Sequence, residues 1–427
     1  MRRQEQEKKR GTNKWIIISL CFLMVMVGLG FCSSPYSWYT NYIVPYLDVP
    51  ESLYSIGKTI RFITTAVVNL FFGFLVAKLG TKKLILAGLI SLSLAMLCGA
   101  FATNLVLIYL SGFFLGLGFS WTGTTIVGFV VNQWCKENKG TIMGIILASN
   151  GIGATIATLT IKPVIERTAT SFKQAYIFVA IIIAVLALLF LLFYRDKKVE
   201  DGEYPQKEEK KKPKRGRSWQ GLEYKEIVKK PYFYLSLLCI FLTGLVLQAI
   251  NGVATPHLQN VGLSKDFVSI TIVIQSITLA LFKFLTGFMY DKFGLRITTT
   301  ICMVTSILVM IALALVTNTT TGMVLAIFYS AFCSLALPLE TIMLPIYAND
   351  LFGEKAYNKM LGLVVSTNIA GYALGSPLAS LSRDITGSYN FSFWLGVGIM
   401  FVLIILIQFV INASNKEKKA LLGKEII

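Results

Sequence analysis

Twelve long apolar stretches, almost free of charge, leave this chain very few folds. They run over residues 15–42, 53–76, 84–103, 105–132, 141–161, 174–194, 232–257, 267–290, 298–317, 321–347, 360–381 and 391–412. A hydrocarbon core about 30 Å thick is crossed by roughly 20 apolar residues in a helix. Lipid offers no partners to an open backbone, and the runs are too long and too unalternating for barrel strands, so each is expected to be a transmembrane helix. With 55% apolar residues, 15% charged residues and a mean hydropathy of +0.67, the chain has too little polar surface to stay in water.

One phrase occurs twice, 214 residues apart: Gly73-Phe-Leu-Val-Ala-Lys78-Leu-Gly80-Thr-Lys82 and Gly287-Phe-Met-Tyr-Asp291-Lys292-Phe-Gly294-Leu-Arg296. Each copy joins two apolar runs, so each is read as a tight hairpin. A second echo, Gly144, Asn150 and Gly153 recurring as Gly362, Asn368 and Gly371, has nearly the same offset. Repetition at half the chain length implies duplication of one helical unit. The expected fold class is therefore an all-α membrane protein with twelve transmembrane helices in two pseudo-symmetric six-helix bundles. The expected organisation is an N-terminal tail (1–14), a first bundle (15–194), a basic linker (195–230), a second bundle (231–412) and a C-terminal tail (413–427).

The formal net charge of +18 is explained by its placement. Of 40 Lys and Arg residues, 32 lie in the two tails and on the side of the hairpins and linker, against 5 in the loops of the other side. That bias predicts an integral membrane protein of the plasma (cell inner) membrane with both termini cytoplasmic. Basicity thus reports topology, and no nucleic acid is expected. The linker, with its run Lys207 to Arg215, reads as a solvated tether, the alternative being recruitment of anionic lipid headgroups by the same bases, and Trp219 to Lys230 as a short interfacial helix. The N-terminal basic and apolar segment lacks a persuasive cleavage site and is taken as the first span. Seven cysteines without a CxxC pair read as free packing thiols, and no metal or cofactor is expected.

Six plus six helices, a long central loop and the paired hairpins resemble the major facilitator superfamily of transporters over essentially the whole chain. The second hairpin matches the family pattern fully, including Asp291, whereas the first carries Ala77 at the acidic position. Tyr36-Ser-Trp38, Lys139-Gly-Thr-Ile-Met-Gly144, Pro256-His-Leu258, Gly262-Leu-Ser264 and Asp384-Ile-Thr-Gly-Ser-Tyr389 are similar to the branch of monocarboxylate porters and oxalate/formate antiporters. The resemblance implies a central cavity lined by helices 1, 2, 4, 5, 7, 8, 10 and 11, with the hairpins Gly73, Lys78, Gly80, Lys82 and Gly287, Asp291, Lys292, Gly294, Arg296 acting in conformational change.

Four charges remain inside the spans: Lys58, Arg61, Lys283 and Glu340. Each costs a few kcal/mol at the bilayer centre, which marks them as functional. Lys283 stands one helical turn before Gly287, where the resemblance implies a substrate-binding cation; the alternative is a structural pair with Glu340. Arg61 could supply a second contact to an anion, and Lys58 could snorkel to the headgroups. Glu340, between Pro338 and Pro345, is the candidate proton carrier. Leu279 occupies the place where proton-coupled relatives carry an aspartate. Tyr36, Trp38, Asn150, Asn251, Gln275, Asn368 and Tyr372 complete the candidate substrate-binding set, and His257 is expected in a wetted mouth at the outer end of helix 7.

These readings converge on a secondary transporter that moves a small organic anion, a mono- or dicarboxylate, by alternating access, with proton symport or anion exchange. The alternatives are an exporter of amphipathic drugs or lipophilic acids on the same fold, and a non-transporting membrane sensor. No enzyme is expected, because no nucleophile elbow, Walker loop or metal-ligand cluster occurs. Partners are the anion, a proton or counter-anion and membrane lipids, with a monomer as the working unit.

Overall fold

A computed structural model of the chain describes residues 2–33, 36–135, 137–168, 170–196 and 219–424. The basic run from Lys207 to Arg215 therefore lies outside the described residues, as do the side chains of Tyr36 and Trp38. Among the described residues the protein is helical throughout. Ten helices are long and apolar enough to cross a membrane, and a bent pair adds an eleventh. One of the ten, Asp266–Ala314, spans 49 residues, more than twice what a bilayer needs. It breaks at Gly294 (φ 82°), which divides it into two spans and gives twelve.

The helices are α1 (Arg2–Val25), α2 (Glu51–Leu70 and Phe72–Leu79, bent by 65°), α3 (Thr81–Ala100), α4 (Leu105–Thr122 and Thr124–Trp134), α5 (Lys139–Thr160) and α6 (Phe172–Phe193). The second six are α7 (Pro231–Asn260), α8 (265–293), α9 (295–314), α10 (Thr320–Ala336 and Met343–Phe352), α11 (Tyr357–Thr386) and α12 (Asn390–Lys424). Besides the bend in α2, three more of the apolar runs are broken, the last of them at the prolines that flank Glu340. The first passes through a π-helix, Met26–Phe31, before resuming at Tyr36–Leu47. There Gly30 and Gly153 bring α1 and α5 backbone to backbone, so that a Cβ on Gly153 would stand 2.1 Å from the Met26 carbonyl oxygen. The fourth breaks at Gly123, and the tenth tightens into a 3₁₀ turn at Leu337–Glu340, where Pro338 removes a helical donor. The region Trp219 to Lys230 is helical only over Tyr224–Ile227, with a capping box between Glu223 and Glu226.

The duplicated phrase has one conformation in both copies. Gly80 (φ 78°, ψ 164°) ends α2, and Gly294 (φ 82°, ψ 176°) ends α8; a backbone in this region suits glycine alone. What surrounds the two copies differs. Gly287 lies against Gly140 of α5, where a Cβ would come within 2.1 Å of the Gly140 oxygen, and Gly73 lies against Asn358 of α11. The Asp291 carboxylate accepts from the backbone N–H groups of Gly140 and Thr141 at 3.0 and 2.6 Å, capping the positive end of α5. Ala77 makes no such bond, and Lys82 of the first hairpin turns to its own bundle, with its N–H on Asp196 and its ammonium on the Leu191 carbonyl.

The end of the molecule that carries the hairpins is closed. Lys139 of the first bundle holds Glu354 of the second at 3.9 Å, and the residues entering α7 strap the same loop: the N–H groups of Glu354 and Lys355 donate to the Trp219 and Gln220 carbonyls. Cross-bundle contacts continue to mid-depth, through Gly144 against Lys283, Ser366 on the Ala66 carbonyl at 2.5 Å, Phe62 against Tyr372 and Gly151 against Ala280. Asp291→Asn is expected to weaken this closure by about 1–3 kcal/mol, through loss of two charge-assisted bonds. Spin labels on the exposed Lys78 and Lys292 should then report a longer distance between the hairpins; an unchanged distance distribution would contradict the role.

Candidate functional site

Lys283 sits on α8 at the level where α5 and α8 pack through Gly144, whose Cβ would meet the Lys283 carbonyl at 2.7 Å. Its side chain is 3% exposed, and its ammonium donates to the Leu147 carbonyl of α5 at 3.4 Å. Its counterpart in the first bundle is Asn69, one turn before Gly73. Asn69 is bonded at both ends, its amide nitrogen donating to the Thr65 carbonyl and its oxygen accepting from Thr125 on α4, both at 2.9 Å. The duplicated scaffold thus holds a neutral, hydrogen-bonded residue on one side and a cation with one long hydrogen bond on the other.

The pairing of Lys283 with Glu340 is absent. Ion pairs are seen instead between Lys139 and Glu354, Lys230 and Glu417, and Lys418 and Asp350, all at the hairpin end. Glu340 lies on the 3₁₀ turn of α10, and its Oε1 is buried without a hydrogen-bond donor. Tyr372 of α11 lies within electrostatic reach of both Glu340 and Arg61, and its ring meets Phe62 at 5.2 Å.

The polar residues of the second bundle fall into two groups. Gln275 of α8 donates to Asn251 of α7 at 2.9 Å and to Cys333 of α10 at 3.7 Å, while Ser334 donates to the Gln275 carbonyl. This ties three helices around half-buried amides. Asn368 instead donates to the Ile240 carbonyl at 3.1 Å and is 2% exposed, so its amide is spent on packing α11 against α7. Its equivalent Asn150 is half-buried on α5. His257 is 3% exposed, bonded to the Leu313 carbonyl at 2.9 Å and wedged between Tyr389 and Phe393. It belongs to the packing of the second bundle and occupies no wetted mouth, because α9 and α12 close over it.

Arg61 is 8% exposed, donates to Ser33 of the first span at 3.3 Å and lies over the rings of Phe62 and Phe119 at 4.5 and 5.4 Å. With Lys58 it lines a cavity whose walls include Tyr39, Tyr54, Met96 and Tyr176. That places it among α2, α3, α4, α6 and the first span, in a cavity that Lys283 does not line.

The sequence model described as Major Facilitator Superfamily matches residues 18–252 and again 236–425. The chain belongs to the major facilitator superfamily. Among relatives, the sialic acid transporter NanX of Escherichia coli (strain K12) is 22% identical over 350 residues, 81% of this chain and 80% of that protein. Monocarboxylate transporter 13 of Rattus norvegicus is 26% identical over 326 residues, 74% of this chain and 70% of the relative. Among solved structures, the proton:xylose symporter XylE superposes with a TM-score of 0.73 at 10% identity, covering 94% of this chain and 96% of that one. The fucose:proton symporter FucP of E. coli gives 0.68 at 14%, covering 93% and 98%. At these identities the structural likeness establishes the major facilitator fold and no more.

Several features of this family member lay beyond sequence reasoning. The Leu147 carbonyl facing Lys283 is a backbone group that every residue carries. Cys333 and Tyr329, packed around Gln275, read as core residues because nothing local distinguishes them. Tyr39, stacked on Tyr176 at 3.8 Å, owes its place to a helix 137 positions away in the chain.

Proposed function

We propose that this protein moves a small organic anion, a mono- or dicarboxylate, by alternating access between its two bundles. The observation that carries the reading is Lys283, a buried cation inside a span whose partner is a single carbonyl at 3.4 Å. A carboxylate arriving there would repay the cost of holding a charge in the membrane. Lysine presents a point charge, so orientation falls to amides elsewhere along the path, and the candidates are Asn251 of α7, Gln275 of α8 and Asn150 of α5. Support comes also from the relatives, one named for sialic acid and another for monocarboxylates. Arg61, set apart from Lys283, adds positive potential along the route.

In this reading the hairpin end is cytoplasmic, which the 32 bases on its side support, and closure of that end is what an outward-facing state in the plasma membrane would need. Energy comes from a proton or a counter-anion, with Glu340 as carrier of the proton: a carboxyl whose oxygen meets no donor forfeits no hydrogen bond when it is protonated.

Uptake of radiolabelled mono- and dicarboxylates into proteoliposomes tests the reading. Accumulation driven by an inward proton gradient, or by unlabelled anion inside, is the expected result. Absence of both for every carboxylate would overturn it. Glu340→Gln is expected to make uptake insensitive to the proton gradient while leaving anion exchange in place; gradient-driven uptake at the wild-type rate excludes Glu340 as the carrier.

A further inference from the structure

The loop between α10 and α11 brings the second bundle against α5, α4 and α2 of the first. Its Glu354 faces Lys139 of α5 at 3.9 Å. The residues after it open α11 against α4, where a Cβ on Gly128 would stand 3.4 Å from the Tyr357 hydroxyl. They also meet α2, where a Cβ on Gly73 would stand 3.1 Å from the Asn358 carbonyl oxygen. The short run 354–358 thus reaches both seams between the bundles. A partly exposed ion pair contributes only about 0–1 kcal/mol, so closure here depends on a backbone held where these contacts meet.

Two pieces of chain expected from sequence to be a tether and a tail supply that hold. From the linker, the Trp219 and Gln220 carbonyls accept the Glu354 and Lys355 N–H groups at 3.1 and 2.9 Å, and the Trp219 indole donates to the Asp350 carbonyl at 3.2 Å. The approach is close because glycine stands on both sides. Gly221 (φ 77°) and Gly353 (φ 84°) face each other so tightly that a Cβ on Gly353 would stand 2.4 Å from the Gly221 Cα. From the end of α12, Ser414 donates to the Leu351 carbonyl at 2.9 Å, and Lys418 pairs with Asp350 at 3.3 Å while lying over the Trp219 ring at 5.4 Å. Glu417 joins the two pieces through Lys230 at 2.9 Å.

We infer that the end of the linker and the end of α12 form a clamp that positions Glu354 and the start of α11, and so sets how firmly the hairpin end is shut. Trp219, Gly221 and Lys418 are its positioning residues, and each acts on the first bundle through the loop. The clamp gives the linker and the tail, which lie outside the spans, a handle on the movement of the two bundles. Neither the cargo nor Lys283 enters this arrangement.

Spin-label distances between positions 78 and 292, measured on the full chain in nanodiscs without added cargo, test the clamp. Gly221→Ala, whose Cβ would stand 2.3 Å from the Phe352 oxygen, is expected to raise the ratio of long to short distances about threefold, an effect of the size that a partly exposed contact allows. Gly387→Ala is the control. It imposes the same positive-φ strain (φ 76°) at the turn after α11, at the other end of the molecule, and should leave the distances unchanged. Should Gly221→Ala fail to fold, Trp219→Phe and Lys418→Met carry the test, since one keeps an aromatic ring without the indole donor and the other removes a partly exposed charge. In a Glu354→Gln background the increment from Gly221→Ala should shrink, because part of what the clamp positions is already lost. Unchanged distances in Gly221→Ala, or in both substitutes, overturn the clamp. So does an equal lengthening in Gly387→Ala, or an undiminished increment beside Glu354→Gln. The expected shifts in a protein that takes up no carboxylate would overturn the transport reading alone.

Discussion

Lys283→Met is expected to raise the thermal stability of the protein while abolishing carboxylate uptake. Both effects follow from one geometry. In the folded protein the ammonium is 3% exposed and has one carbonyl partner at 3.4 Å, so its desolvation is poorly repaid. A methionine of similar length fills the same slot between α5 and α8 without a charge. The gain should be about 2 kcal/mol, visible as a midpoint higher by a few degrees. A carboxylate bound to Lys283 would lose a charge-assisted bond worth about 1.5–3 kcal/mol, together with the field that draws it in. Uptake should fall by about 100-fold or more at low substrate, while Lys283→Arg, which keeps the charge, should retain a measurable fraction. A variant that is more stable and equally active would remove Lys283 from the substrate path. Stabilisation with loss of transport is the signature of a residue kept for function at the expense of the fold.

Gly287→Val should trap the protein with its hairpin end open. A Cβ at position 287 would lie 2.1 Å from the Gly140 oxygen and 2.7 Å from its carbonyl carbon. Both are backbone atoms at the first turn of α5, so no side-chain rotation relieves the overlap. Separating α5 from α8 is the available response, and it also pulls Asp291 away from the Gly140 and Thr141 N–H groups. Exchange should drop to background, because the closed state can no longer be visited, and the distance between labels on Lys78 and Lys292 should lengthen. Gly398→Val is the control: no atom lies within 4 Å of its Cβ position, so it should leave both measurements unchanged. Wild-type exchange in Gly287→Val would show that closure does not pass through this contact.

The spans and their duplication were legible in the sequence because both are local properties. An apolar run long enough to cross a bilayer has to be a helix wherever it packs, and the glycines at 80 and 294 need positive φ whatever their neighbours are. The breaks within spans were legible in part. Pro338 and Pro345 announced the irregularity around Glu340, which the 3₁₀ turn at Leu337–Glu340 realises. The π-helix at Met26–Phe31 was hidden, since it arises where Gly30 meets Gly153 on another helix. Polar residues were legible as a set and illegible in their partners. Asn251 and Gln275 meet directly, Asn368 is spent on Ile240, and His257 lies under α9 and α12.

Sequence alone determined that the chain is a twelve-span, two-bundle membrane protein with its bases gathered at one end, because hydropathy, charge and glycine geometry act within a few residues. Tertiary structure decided which charges have partners. It left Lys283 and Glu340 apart, turned Arg61 into a cavity of the first bundle and gave Asp291 the end of α5 while Ala77 has nothing to hold. The physical reason is that a residue's face on a helix follows from its number, whereas what stands opposite that face comes from segments up to 300 positions away, as Ser366 against Ala66 illustrates.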